Sequence, residues 1–216
     1  MKLKTKIIPA ILAKTKKELE LYLKKTKKIS NYIHIDIADG KFVHTKTIDY
    51  LSFRGLKGIP KLEFHLMVKE PRKHIIKYIP YSYLIIFHFE STKDVFAVIR
   101  EIKKHDRKVG IAINPKTKIS NIVPYLSYLD KVMIMSINPG KYGQKFMSIA
   151  LTKIKELRKI NKNIDICVDG GINDYTSSKC IKAGANHIIV NMHHLYGIEN
   201  VEERYIKIKR ILKNAR

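Results

Sequence analysis

Eight short apolar runs, each followed by a stretch that reads as helix or turn, constrain this chain more than any other feature. They are Ile7–Leu12, Tyr32–Ile37, Lys61–Met67, Tyr83–Phe89, Lys108–Ile113, Lys131–Ile137, Ile164–Val168 and His187–Val190. Between them lie helix signals. Thr15 and Glu18 have capping-box spacing, with Leu19, Leu23 and Ile29 behind them as an apolar stripe. Pro71–Tyr78 opens with proline, and Asp49–Gly55 reads as a short helical turn. Lys93–His105, Ile119–Tyr125, Ser148–Lys159, Tyr175–Ala183 and Val201–Leu212 complete the series. Strands this apolar are buried on both faces, which calls for a parallel sheet covered by helices. Eight βα units in 216 residues, with no linker, low-complexity segment or second composition regime, predict an α/β fold. The expected architecture is a single-domain (β/α)8 TIM barrel over residues 1–216, with a doubly wound open sheet as the alternative.

Hydrophobic residues at 45% and charged residues at 29% fit a soluble globular chain. Cys167 and Cys180 are too few for a disulfide framework, so a reducing, cytoplasmic setting is expected. The apolar run near the N-terminus contains Pro9 and stops at Lys14, which is neither a signal peptide nor a membrane span. The formal charge of +24 raises the question of nucleic acid. Its lysines are scattered through every helical stretch and do not interleave with aromatics as a single-strand binder requires. No nucleic-acid or membrane partner is expected; a positive field would instead draw in a small phosphorylated substrate.

In such a barrel the active site lies at the C-terminal strand ends. His34 and Asp36 sit two apart in one strand and so share a face. His65 near the end of the third strand and Asp169 at the end of the seventh reach the same rim. Two imidazoles and two carboxylates at one rim can bind one divalent transition ion, with Zn, Fe(II), Mn and Co all compatible. A metal at a carbonyl and its neighbouring hydroxyl acidifies the C–H between them and stabilises an enediolate. Asp36 and Asp169 can then work as an acid/base pair, one removing the proton from one face and the other returning one to the opposite face. That is epimerisation next to a carbonyl; hydrolysis by a metal-bound water is the competing chemistry.

These residues belong to longer matching segments. They are Ile8-Pro9-Ala10-Ile11-Leu12, the run His34 to Val43, His65-Leu66-Met67-Val68, Phe87-His88-Phe89-Glu90 and Gly110 to Pro115. The series continues with Met135 to Gly140, Gly143-Gln144-Lys145-Phe146 and Val168 to Asn173. In order and spacing, the chain resembles the ribulose-phosphate 3-epimerase family over essentially its whole length. The resemblance implies interconversion of D-ribulose 5-phosphate and D-xylulose 5-phosphate by a metal-dependent barrel, in the pentose phosphate pathway of carbohydrate metabolism, and a homo-oligomer. It implies that His34, Asp36, His65 and Asp169 hold the metal and that Asp36 and Asp169 are catalytic. Relatives acting on allulose 6-phosphate share most of these motifs, and a non-catalytic basic binding protein on the same barrel is a further alternative.

Substrate is expected to meet His65, Gly140, Lys141, Tyr142, Gly143, Gly170, Gly171, Asn191 and Met192. A phosphate needs several converging N–H donors, and glycines let the backbone approach. The shell departs from the family pattern: Ala10 stands where serine is usual, Ala38 where methionine is usual, Tyr142 where glycine is usual, and Asn191-Met192 in place of a Gly-Ser pair. Lys141 is the cation placed to offset the altered cradle.

Overall fold

The computed structural model describes residues 4–140, 143–191 and 201–214. The strands are β1 (Lys6–Ile11), β2 (Tyr32–Ala38), β3 (Lys61–Met67), β4 (Ser82–His88), β5 (Lys108–Ile113), β6 (Lys131–Met135), β7 (Asp165–Asp169) and β8 (His187–Asn191). They close into a barrel in sequence order, every neighbouring pair parallel. Outside it run α1 (Lys16–Thr26), α2 (Arg72–Tyr78), α3 (Val95–Lys103), α4 (Ile149–Ile160), α5 (Asp174–Ala183) and α6 (Val201–Asn214). The fold is the TIM barrel that the alternation predicts, and the open sheet is excluded by the pairing of β1 with β8. Among the described residues no helix is long and apolar enough to cross a membrane.

Local chemistry sets the boundaries. Thr15 caps α1 through the Glu18 N–H, and the Glu18 carboxylate accepts from the Thr15 N–H, the expected capping box. Gly184 ends α5 at φ 117, a left-handed conformation that a Cβ disfavours. The expected helix at Ile119–Tyr125 is instead a pair of 3-10 turns, Ile119–Asn121 and Val123–Tyr128, because Pro124 has no N–H to donate. β6 stops at Met135, two residues before the expected end, because Ser136 leaves the ladder. Its N–H donates to the Asp169 carbonyl at 2.8 Å and its carbonyl accepts from Met147 N–H.

Strand alternation sorts side chains into two layers. Ile33, Ile35, Ile37, Leu62, Phe64 and Leu66 point outward and join the large core under the helices. Burial of each such side chain contributes about 1.5–3 kcal/mol. The barrel interior holds Ile8, Ala10, Leu84, Ile86, Ala112, Met133, Met135, Cys167 and Ile189. The inward positions of β2 and β3 are polar instead: the register sets His34 opposite Glu63 and Asp36 opposite His65. Asp169 pairs with Met135 at the same end of the barrel. Buried polar side chains thus run through the interior, from Lys131 and His187 at strand starts to Asp36 and His65 toward the C-terminal mouth.

Candidate active site

His34, Asp36, His65 and Asp169 come together as expected, with one ligand-capable atom from each lying within 4.8 Å of the others. The Asp36 carboxylate is central: its Oδ1 lies 3.2 Å from His34 Nε2 and 2.9 Å from His65 Nδ1. Both imidazoles are fully buried, so polar partners must satisfy them. His34 meets Glu63 Oε1 through Nδ1 at 2.7 Å. Glu63 Oε2 accepts the Tyr32 hydroxyl at 2.7 Å and the Lys131 ammonium. Glu63 and Lys131 are both buried, from β3 and β6, and their ion pair crosses the barrel interior beneath the rim.

This network perturbs the titrating groups. Burial opposes charge on His34, but hydrogen bonds to Asp36 and Glu63 outweigh it and raise its pKa to about 10. Burial likewise opposes ionisation of Asp36, and the hydrogen bonds to His34 and His65 win, holding its carboxyl well below the usual range. Asp169 goes the other way: burial and the charge of Asp36 push it up to about 6. Two carboxylates at one site with pKa values driven apart are suited to opposite proton-transfer roles. Two nitrogens and two carboxylates this close form a donor set that fits a divalent transition ion.

Above the cluster opens a cavity of about 430 Å³, bordered by Asp36, Met67, Met135, Ile137, Asp169 and Ile189. The same cavity is lined by Gly140, Gly143, Gly170, Gly171 and Asn191, five of the residues expected to meet substrate. His65 stands behind Asp36 and is not part of the lining. Lys141, Tyr142 and Met192 lie outside the described residues. Three of the glycines are required by close approach: a Cβ at Gly140 (φ 84) would lie 2.5 Å from Val43 Cβ, one at Gly170 (φ 99) 2.3 Å from Ile137 Cγ1, and one at Gly171 (φ 58) 2.8 Å from the Phe146 backbone nitrogen. Asp39, just past β2, also organises the rim. It accepts the N–H groups of Lys41 and Phe42 at 2.8 and 2.9 Å and of Lys69 at 2.9 Å, tying the β2 and β3 loops together.

Sequence reading gave Glu63, Lys131 and Tyr32 no role in the site, and placed His88 and Glu90 within a matching segment without joining them to the set. A signal was present for the first: Glu63-Phe64-His65 repeats the same-face spacing of His34-Ile35-Asp36 on the adjoining strand. Lys131 carried none, because it meets Glu63 across the barrel at a separation of 68 residues.

Residues 6–194 match the model of the family described as Ribulose-phosphate 3 epimerase family. The chain is similar to ribulose-phosphate 3-epimerase of Schizosaccharomyces pombe, 34% identical over 191 residues that cover 85% of this chain and 84% of the relative. Its similarity to ribulose-phosphate 3-epimerase of Aquifex aeolicus is 32% over 193 residues, 86% of each chain. The barrel also resembles the structure of 3-hexulose-6-phosphate synthase from Salmonella typhimurium, with a TM-score of 0.70 over 98% of this chain and 100% of that one. At 14% identity that likeness is one of fold alone.

Proposed function

The chain belongs to the ribulose-phosphate 3-epimerase family, and from that premise we propose that it is a metal-dependent isomerase that inverts C3 of a ketose phosphate, interconverting D-ribulose 5-phosphate and D-xylulose 5-phosphate. The observation that carries the reading is the convergence of two differently tuned carboxylates, Asp36 and Asp169, on one cavity. They come from β2 and β7, three strands apart around the ring, and so approach a bound sugar from different sides of the mouth.

His34, Asp36, His65 and Asp169 would hold the ion, which would supply electrostatic stabilisation of the negative charge developed when the proton next to the carbonyl is removed. The chain's own residues do the rest. One aspartate takes the C3 proton of one epimer, and the other delivers a proton to the opposite face. In the reverse direction the two exchange roles. Met67, Met135 and Ile137 give the cavity an apolar wall that limits water at the reacting carbon. Gly140, Gly143, Gly170, Gly171 and Asn191 leave the backbone accessible on the same cavity, where N–H groups suit a phosphate. Lys141 adds positive charge to that loop.

The test is conversion of ribulose 5-phosphate by the purified chain, with allulose 6-phosphate as the comparator. Xylulose 5-phosphate should form, the activity should vanish on chelation, and Zn, Fe(II), Mn or Co should restore it. Absence of turnover with every metal would remove the proposal; faster turnover of the hexulose phosphate would correct the substrate.

A further inference from the structure

His88 and Glu90 lie outside the four donors yet are turned toward them. His88, at the end of β4, is fully buried. Its Nε2 is 2.9 Å from Nε2 of His65, and the two rings stack with centroids 5.0 Å apart. On its far side Nδ1 faces Glu90 Oε2 at 3.4 Å, with the Asn114 side chain also within reach of the ring. Glu90 is held in that orientation: its Oε1 accepts the Asn114 N–H at 2.8 Å and the Thr117 hydroxyl. Phe42 closes over the His88 ring at 4.9 Å between centroids.

Two ring nitrogens 2.9 Å apart form a hydrogen bond only if one carries a proton and the other does not. Given the reading of His65 as a metal ligand, on which this inference rests, the choice is forced. The His65 nitrogen on the Asp36 side is Nδ1. A ligating nitrogen is unprotonated, so the His65 proton sits on Nε2 and is donated to His88 Nε2. Neutral His88 then carries its own proton on Nδ1 and donates it to Glu90 Oε2. We infer that His88 and Glu90 are positioning residues, a carboxylate–imidazole pair that fixes the tautomer and ring orientation of His65 from behind. His34 has the same support in one step, through Glu63. Both imidazoles of the centre are thus backed by a carboxylate, directly or through one further ring, an arrangement that tightens metal sites.

The first test uses the full chain with isotope-labelled histidine, titrated with zinc and read by nitrogen NMR, which separates protonated from bare ring nitrogens. Zinc should shift His65 Nδ1, and His88 should carry its proton on Nδ1. If zinc shifts neither His34 nor His65, the metal reading falls and the inference with it. If zinc shifts His65 Nδ1 while His88 is protonated on Nε2, the metal reading survives and the inference alone is overturned. The second test is Glu90→Gln. The amide oxygen stays with the Asn114 and Thr117 donors, so its NH2 faces His88 Nδ1 and reverses the tautomer the site needs. Zinc affinity, measured by chelator competition, should fall about 10- to 100-fold, while the unfolding midpoint of the metal-free protein stays close to wild type. His88→Leu should weaken zinc at least as much. Wild-type zinc affinity in both variants would overturn the inference.

Discussion

Lys131→Met tests the buried framework beneath the site. Lys131 and Glu63 are 1% and 0% exposed, and among the described residues the ammonium is the only cationic side chain whose ion pair with Glu63 does not depend on a histidine proton. Burial opposes ionisation of Glu63, and the Lys131 charge together with the hydrogen bond and charge of His34 outweighs it, holding the carboxyl well below its usual range. Removing one member of a buried pair costs about 3–5 kcal/mol, because the other charge is left uncompensated. Glu63 keeps the Tyr32 hydroxyl and His34 Nδ1, both at 2.7 Å, which places the loss near the lower end, about 3 kcal/mol. With an unfolding entropy of about 2 cal/mol/K per residue, a 216-residue chain then loses roughly 7 °C in Tm. The pH dependence follows from the sign of the shift. In wild type a depressed Glu63 contributes stability above its unfolded value, lost as pH falls through the lower folded value. In the variant burial pushes the Glu63 pKa up, so protonation relieves the buried charge as pH drops, and the gap to wild type narrows as pH falls toward the ordinary carboxylate range. Glu63→Gln combined with Lys131→Met removes both charges, keeps an acceptor, and should recover at least half of the loss. Urea unfolding of the metal-free proteins, followed by circular dichroism, reads all three. A Lys131→Met protein within about 0.5 kcal/mol of wild type, or a gap independent of pH, would refute the reasoning.

Further outcomes follow from the same geometry. His34→Ala and His65→Ala should each lose stoichiometric metal and turnover, and retention of one ion per chain in both would remove these ligands from the centre. Lys141→Met should raise KM for the phosphorylated sugar several-fold, from a charge contact of about 1–3 kcal/mol, with the penalty shrinking at high salt; an unchanged KM at low ionic strength excludes the contact. His187, buried against Lys131, is lowered to about 4 from its ordinary 6.5 by burial first and the Lys131 charge second. The unfolded chain binds the proton first, so stability is lost as pH falls from about 6.5 to 4, by up to about 3 kcal/mol from this group. His187→Leu should flatten that part of the wild-type curve, and an unaltered slope would show that the ring does not titrate there.

The barrel was legible because its signal is periodic: eight apolar runs with helix caps between them leave few alternatives, and five of the eight strands begin at the sequence boundary while the other three begin within one residue of it. Strand ends were less so. Ile137 looks like a continuation of β6, but a serine that bonds across to Asp169 and Met147 ends the ladder first. The four metal-capable side chains were legible through same-face spacing and position at strand ends. Glu63 and Lys131 were not, because strand alternation says which residues point inward and not which of them meet across the interior. His88 and Glu90 were visible as polar strand-end residues, but their meaning depends on which nitrogen of each ring faces which neighbour, and only three-dimensional placement gives that.

The central claim is that Asp36 and Asp169 form a two-base pair acting on C3. Turnover of ribulose 5-phosphate by the metal-loaded protein in heavy water, with product read by NMR, tests it most directly. The account predicts xylulose 5-phosphate carrying deuterium at C3, and no epimerisation by Asp36→Asn or Asp169→Asn variants with metal occupancy verified. Xylulose 5-phosphate formed without deuterium at C3, or full turnover by either metal-loaded variant, would contradict it.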